Sequence, residues 1–237
     1  MKVRPPIYCI GGNRHACYRV SMHSIVPFGT AMSAEVFASA LDVSRETLGR
    51  DAVERLSIYA DALRTWQARI NLVSNNSLAD LWRRHFLDSA QLARWVRADA
   101  RVLDMGSGAG FPGLVVSIVT GAAVVLAESD ARKCAFLREV CRLTSSPAEI
   151  FEGRLEDLGG ELTFDLVTAR ALAPLPKLLE YAEPRLKADG SCLFLKGARH
   201  EAELTDANEF WKMDLERHQS LSDCQGAVLQ IRNLSRV

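Results

Sequence analysis

A surplus of charge of either sign is what this sequence most plainly lacks: 29 lysines and arginines face 29 aspartates and glutamates over 237 residues. No overall positive field announces a polyanion binder and no acidic field a basic partner, so any such site must be local. Long apolar runs are missing too. The longest, 113–120 and 122–127, fall well short of the roughly 18 to 20 residues that span a bilayer, which excludes a membrane-spanning reading. The six cysteines (Cys9, Cys17, Cys134, Cys141, Cys192, Cys224) include no C-x-x-C pair. Cys134 and Cys141 are seven apart in a helical pattern and share a face, so the set reads as reduced packing residues in a cytoplasmic compartment. A zinc site would want closer spacing and paired histidines, so no metal is expected.

Acids are absent from the first 34 residues, which carry Lys2, Arg4, Arg14, Arg19, His15 and His23 around apolar scraps without period. A secretory signal needs an apolar run of roughly 7 to 15 residues, and Ile7 to Ile10 is too short. An organelle transit peptide, an RNA-contacting tail or a mis-set start remain, and translation from Met32 is preferred. Residues 1–31 are then an unassigned basic extension. Beyond them 25 basic residues face 29 acidic ones, a slightly acidic body.

What is present suits one folded core. With 48% hydrophobic and 24% charged residues the chain can bury a sizeable interior, and its length fits a single α/β domain. From Arg50 to Trp66, Ala52, Leu56, Tyr59, Leu63 and Trp66 recur at the spacing of an amphipathic helix. After a polar bridge at 71–77, a second helix is expected over 80–97, with Leu78, Leu81, His85, Ser89, Leu92 and Val96 on one stripe. Arg83, Arg94 and Arg97 fall opposite, as a solvated face or a surface touching phosphates. From Arg101 onward short β-rich runs (101–105, 123–128, 148–151, 164–169, 191–195) alternate with helix-length segments. That alternation predicts an α/β fold, a mostly parallel twisted sheet with helices on both faces, following N-terminal helices. The expected division is a single domain over 32–237, with helices in 32–98 and a ligand-binding core in 99–237. Residues 227–231 read as a last strand, antiparallel at the sheet edge.

The first strand ends at Asp104 and runs into Gly106-Ser-Gly108-Ala-Gly110-Phe-Pro112-Gly113. Glycines there let the backbone turn sharply and approach a ligand, and Pro112 suits the first turn of a helix. Read from Gly106, the dinucleotide pattern G-x-G-x-x-G fails at Phe111; read from Gly108 it matches through Gly110 and Gly113, so spacing alone leaves two cofactor classes open. Two acids favour one of them. Glu128 ends the second strand, 22 residues after Gly106, where a carboxylate can accept from both ribose hydroxyls. Asp104 could hold the loop backbone or meet an ammonium group, which suits the amino-acid end of S-adenosylmethionine. The pattern resembles a class I methyltransferase. Leu155-Glu156-Asp157 follows the third strand, either beside the adenine or simply as acids at a helix start. Thr168-Ala-Arg170-Ala-Leu-Ala-Pro174 lacks both an Asn/Asp-Pro-Pro-aromatic turn and a nucleophilic cysteine, so amine deprotonation and covalent catalysis lose support.

Several motifs together resemble one family: Asn71-Leu-Val-Ser74, Arg84-His-Phe-Leu-Asp-Ser89, the 103–113 loop, Arg132-Lys133 with Phe136-Leu137, Thr168-Ala-Arg-Ala171 and Leu195-Lys-Gly197. It is the bacterial small-subunit ribosomal RNA guanine-N7 methyltransferase G (GidB) family, matched from about Asp51 to Gly197. The resemblance implies contacts to S-adenosylmethionine at Gly106, Phe111, Leu155, Glu156 and Arg170. It also implies N7 methylation of one guanine in the decoding region of 16S ribosomal RNA. Two segments depart from the family: residues 1–31, and the tail, where Cys224-Gln-Gly-Ala-Val stands without an arginine-histidine pair. Guanine N7 already carries a lone pair, so no general base is needed and positioning is what remains to be supplied. Arg170 and Lys196, at the ends of adjacent strands, are cast as clamps on O6 or phosphates. Asp104, Gly106, Gly108, Gly110, Phe111, Glu128, Leu155, Glu156 and Arg170 are the expected cofactor contacts, and Arg83, Arg84, His85, Arg94 and Arg97 the candidate RNA contacts. His85 is either a hydrogen-bonded core residue or a substrate contact with Asp88, and Asn71 a brace of the polar bridge. The expected partner is 16S ribosomal RNA or the small subunit, met by a monomer. The alternatives are a small-molecule or protein methyltransferase on the same fold and a binding module without turnover.

Overall fold

The computed structural model describes Phe37 and residues 51–237. The basic extension 1–31, the start at Met32 and the packing of Cys9 and Cys17 lie outside the described residues. Helix α1 (Ala52–Gln67) forms where the apolar spacing asks for it and buries Ala52, Leu56, Tyr59, Ala60 and Leu63. A short helix α2 (Asn75–Leu78), capped by the Ser74 side chain, interrupts the polar bridge. The helical stretch that follows is not uniform. It opens as a π-type turn (Trp82–Leu87), passes through a single α-helical turn (Asp88–Ala90) and tightens to a 3-10 turn (Gln91–Trp95); these pieces together are α3. π-type turns gather at functional sites, and this one carries Arg84 and His85.

Beyond α3 come β1 (Arg101–Met105), α4 (Gly113–Thr120), β2 (Ala123–Glu128), α5 (Ala131–Thr144), β3 (Glu149–Glu152) and β4 (Phe164–Arg170). Then follow α6 (Leu175–Ala182), β5 (Leu186–Lys196), α7 (His200–Asn208), β6 (Trp211–Gln219) and β7 (Ala227–Arg236). The seven strands form one sheet in the order β3-β2-β1-β4-β5-β7-β6. The first five are mutually parallel, and β7 runs antiparallel to both β5 and β6. The antiparallel strand at 227–231 is thus present but internal. The edge is β6, which the sequence reading did not assign although Trp211, Met213 and Leu215 alternate there with charged residues.

Successive side chains leave a strand on opposite faces, so each strand serves two cores. Val102, Val124, Leu126 and Leu166 pack with α1, α4 and α5 around Tyr59, Leu114 and Phe136. Leu103, Met105, Val167 and Phe194 face α6 and α7 around Leu175, Leu179 and Leu204. Cys192 is buried in the second core, Cys134 is buried and Cys141 packs against the first core, as packing residues should, whereas Cys224 is exposed. Asp104, between Leu103 and Met105, points to the α4 face. There Gly113 lies so close that a β-carbon built on it would stand 2.4 Å from the Asp104 β-carbon and 2.7 Å from Leu126 Cδ2. The Asp104 β-carbon is fixed to the strand backbone and cannot withdraw without moving the sheet. Gly113→Ala is therefore expected to destabilise the chain by about 1–3 kcal/mol. Thermal unfolding should register this as a drop of several degrees in Tm.

Candidate active site

The site forms where parallel strands end. Parallel pairing of β1 with β2 brings the 106–112 turn against the last residues of β2, and Glu128 is what joins them. Its Oε2 accepts from Gly108 N at 2.8 Å, and its Oε1 from Ser129 N at 2.9 Å and Asp130 N at 2.8 Å. Gly106, Gly108 and Gly110 all have positive φ (64°, 59° and 94°), a conformation that the turn needs and that side chains resist. From the other side α1 fixes the turn: the buried Tyr59 hydroxyl donates to Ala109 O, and its ring stacks on Phe111 at 5.4 Å. Burial holds the Tyr59 phenol well above its ordinary pKa, so it stays a donor. Nothing in the sequence distinguished Tyr59 from its neighbours on the apolar stripe.

Above the turn lies a cavity of about 440 Å³. Gly106, Gly108, Phe111, Glu128, Leu155, Glu156 and Arg170 line it, which brings together seven of the nine expected cofactor contacts. Gly110 and Asp104 are not in its wall. Asp104 is fully buried beneath the turn, where Oδ1 accepts from Thr168 Oγ1 at 2.8 Å and Oδ2 finds no donor among the described residues. Its place is that of a brace for the loop. Burial raises its pKa to about 6, against the pull of the Thr168 hydroxyl.

Arg170 ends β4 and is only 18% exposed. It donates to His85 Nδ1 at 2.7 Å and Arg84 O at 3.0 Å, pairs with Asp88 Oδ2 at 3.3 Å, and lies 5.0 Å over the Phe111 ring. His85 is thus a partner of Arg170 as well as a core residue. Burial, helped by Arg170 and Arg84, lowers its pKa to about 3, which keeps the imidazole neutral with Nδ1 as acceptor. His85, Arg170, Ala171 and Leu172 also line a second cavity of about 670 Å³, so these residues form the partition between two chambers. The second chamber includes Asp88, Lys196, Glu203, Ser220 and Ser222. Lys196 does not stand free there: its side chain is 8% exposed, paired with Glu203 Oε2 at 2.5 Å and bonded to Ala173 O at 3.1 Å.

The remaining arginines separate. Arg84 is exposed at the second chamber and pairs with Asp223 at 3.1 Å. Arg83 departs from the expected solvated face; Asp80 draws it into the body, with Nε at 2.7 Å from Oδ2. Arg94 lies 4.0 Å over the Trp95 ring, and Arg97 is exposed beside Asp99 at 3.0 Å. Neither lines either of the two chambers. Gln67 Nε2, at 3.5 Å from Asn71 Oδ1 and 2.8 Å from Val73 O, braces the polar bridge. Among the described residues no group of three metal-ligating side chains assembles and no helix is long and apolar enough to cross a membrane.

The family model described as rRNA small subunit methyltransferase G, GidB, matches residues 52–234. The chain belongs to this family. A ribosomal RNA small subunit methyltransferase G from Paramagnetospirillum magneticum is 50% identical over 206 residues, 86% of this chain and 98% of the relative. One from Rhodospirillum rubrum is 48% identical over 206 residues, 86% of this chain and all of the relative. Among solved structures, M. jannaschii TYW2 in complex with AdoMet superposes with a TM-score of 0.51 at 17% identity, covering 72% of this chain and 80% of that one. The ribosomal protein L11 methylase of Lactobacillus delbrueckii subsp. bulgaricus does so with a TM-score of 0.50 at 18% identity, covering 63% and 76%. At such identities the likeness is one of fold, that of the class I methyltransferases. The GidB match runs past Gly197, where the short motifs stop, so β6 and most of β7 belong to the family in spite of the divergent tail.

The buried Asp104 gives this family member a pH signature. An unfolded aspartate ionises near pH 4, and this one ionises at about 6 in the fold. Between those values the folded chain binds the extra proton, so stability falls as pH rises through the window, with no penalty below it and the full penalty above. Asp104→Asn removes the term. The unfolding free energy of the wild type relative to this variant should drop by on the order of 3 kcal/mol between pH 4 and pH 7, measured by urea denaturation at each pH.

Proposed function

We propose that the chain transfers the methyl group of S-adenosylmethionine to N7 of a guanine in the decoding region of 16S ribosomal RNA. On this reading it acts as a cytoplasmic monomer on the RNA or the small subunit. Residues 32–237 are taken as one domain, in which the N-terminal helices contribute His85 to the partition and the 99–237 core supplies the rest of it and carries the cofactor. The observation that carries the proposal is a two-chambered site in a member of the GidB family, with Arg170 in the partition.

The first chamber fits the methyl donor by its chemistry. Glu128 presents a carboxylate at the ribose position, the turn presents backbone around Gly106 and Gly108, and Leu155 and Glu156 close the side where adenine is expected. S-adenosylmethionine, when bound, supplies an electrophilic methyl group on a sulfonium. Gly110 and Asp104 serve it from outside the wall, by shaping and bracing the turn. Of the candidate RNA contacts Arg84 is the best placed, because it is exposed at the mouth of the second chamber. Arg94 and Arg97 extend the basic surface farther along α3 and beyond its end.

The reaction asks for little proton chemistry. The N7 lone pair forms the new C–N bond while the C–S pair leaves with sulfur, and no proton moves. Transfer needs N7 and the methyl carbon in line at roughly 3 to 3.5 Å, so the residues act by holding and by excluding water. A purine that becomes cationic is opposed by free positive charge nearby. This chain compensates the buried ones: Asp88 faces Arg170, Glu203 faces Lys196, and His85 is neutral. Arg170 can therefore offer N–H groups at the partition without an uncompensated charge beside N7.

The deciding assay supplies labelled S-adenosylmethionine with small-subunit RNA and 30S particles from a strain lacking the protein, and identifies the product nucleoside. 7-Methylguanosine is the expected product, and cofactor binding without labelled RNA would overturn the reading. Glu128→Ala should weaken S-adenosylmethionine binding at least about tenfold by calorimetry, since the charge-assisted hydrogen bond left to its carboxylate and the anchor of Gly108 go together.

A further inference from the structure

Three carboxylates line the second chamber, and they differ in what they have left to give. Asp88 is spent. Its Oδ1 accepts from Ser222 Oγ at 2.5 Å and Gln91 Nε2 at 3.2 Å, and its Oδ2 faces Arg170. Asp223 is held by Arg84 and by the Gln225 amide at 2.9 Å. Glu203, on α7, accepts only through Oε2, from Leu175 N at 2.7 Å and from the Lys196 ammonium at 2.5 Å. No donor among the described residues bonds its Oε1. Lys196 likewise uses two of its three N–H groups, toward Glu203 and Ala173 O. One acceptor oxygen and one donor proton, side by side and largely withdrawn from solvent, thus remain without partners among the described residues.

We propose that Glu203 and Lys196 read the Watson–Crick edge of the acceptor guanine in the second chamber. Glu203 Oε1 accepts from N1–H and the 2-amino group, and Lys196 donates to O6. The inference rests on the reaction proposed above and names the base-reading residues within it. A carboxylate suits guanine, whose N1 and N2 both donate, and rejects adenine, whose N1 is an acceptor and whose C2 carries no amine. Such a mismatch leaves a buried polar group unpaired, which is where large discrimination arises. The N1 and N2 edge lies across the purine from N7, so a base gripped there turns N7 away from Glu203, as attack through the His85 and Arg170 partition requires. Methylation at N7 also makes N1–H more acidic. Its bond to Glu203 strengthens as the charge develops, so the contact favours the transition state over the ground state.

Once the methylated guanosine has been located, small-subunit RNA can be rebuilt with inosine at that one position, which keeps N7, O6 and N1–H and loses only the 2-amino group. Wild-type kcat/KM should be about 10- to 100-fold lower on the inosine RNA, as expected for a lost hydrogen bond to a charged group. Glu203→Ala should bring the two RNAs to nearly equal, low rates while S-adenosylmethionine affinity by calorimetry stays as in the wild type. Equal wild-type rates on the two RNAs would overturn the proposal without any variant, and so would a Glu203→Ala enzyme that keeps the wild-type ratio. Failure of the wild type to make 7-methylguanosine on unaltered RNA would instead sink the underlying reaction.

Discussion

A guanidinium taken out of water must find partners for its charge and its N–H groups, and the arrangement around Arg170 follows from that demand. Breaking a buried ion pair by removing one partner costs about 3–5 kcal/mol, so the surroundings of such a cation are strongly determined. Here the partners are a carboxylate, a main-chain carbonyl and a neutral imidazole, all from α3, with an aromatic ring beneath. The irregular winding of α3 belongs to the same demand, because Arg84 O, His85 Nδ1 and Asp88 must converge on one side chain. In doing so they close the wall between two cavities. The partition is thus a by-product of solvating one cation, and it lies where a methyl group would have to pass.

The glycine turn is held on comparable terms. Its three glycines take positive φ without strain but lose more conformational freedom on ordering than other residues would, so the surroundings must hold them. Glu128 fixes one end through Gly108, Tyr59 fixes the middle through Ala109 O, and the buried Asp104 supports the strand below. Tyr59 comes from α1, outside the strand-and-helix repeat, and stacks on the same Phe111 ring over which Arg170 lies. Loop and partition therefore share a side chain. A disturbance of α1 packing would reach both chambers through Phe111, although α1 lines neither.

What could be read beforehand was whatever depends on local pattern. The alternation of β-rich and helical runs located five strands, and the glycine spacing with Glu128 located the first cavity, because turn chemistry and strand ends are written in consecutive residues. Arg170 and Lys196 were legible by their places at strand ends. Their charge partners were not: Glu203 is 7 residues along the chain from Lys196 on another element, and Asp88 is 82 residues from Arg170. Asp104 could be flagged as an acid before the loop, but whether it faced ligand or core depended on which side of β1 faces α4. β6 was missed because an edge strand that is half exposed alternates apolar with charged residues and contains no long apolar run. Ser220 and Ser222, which bond to Asp88 from the β6–β7 connection, carry no local signal at all.

Net charge misleads for the same reason. A chain with equal numbers of acids and bases looks indifferent to a polyanion, yet at this site the buried bases answer to the chain's own acids and attraction is left to exposed ones such as Arg84. Each buried cation is matched by a carboxylate, and the one histidine at the partition is held neutral. That economy suits a nucleophile which needs no deprotonation and becomes positive as it reacts, since an uncompensated cation beside N7 would raise the barrier it is meant to lower. A site built to activate a hydroxyl or an amine would need the opposite, a free base near the reacting atom. Here the acids nearest the partition are committed to Arg170, to backbone amides or to the serines. The Glu203 oxygen left over lies where a base edge, not a reacting atom, would be read.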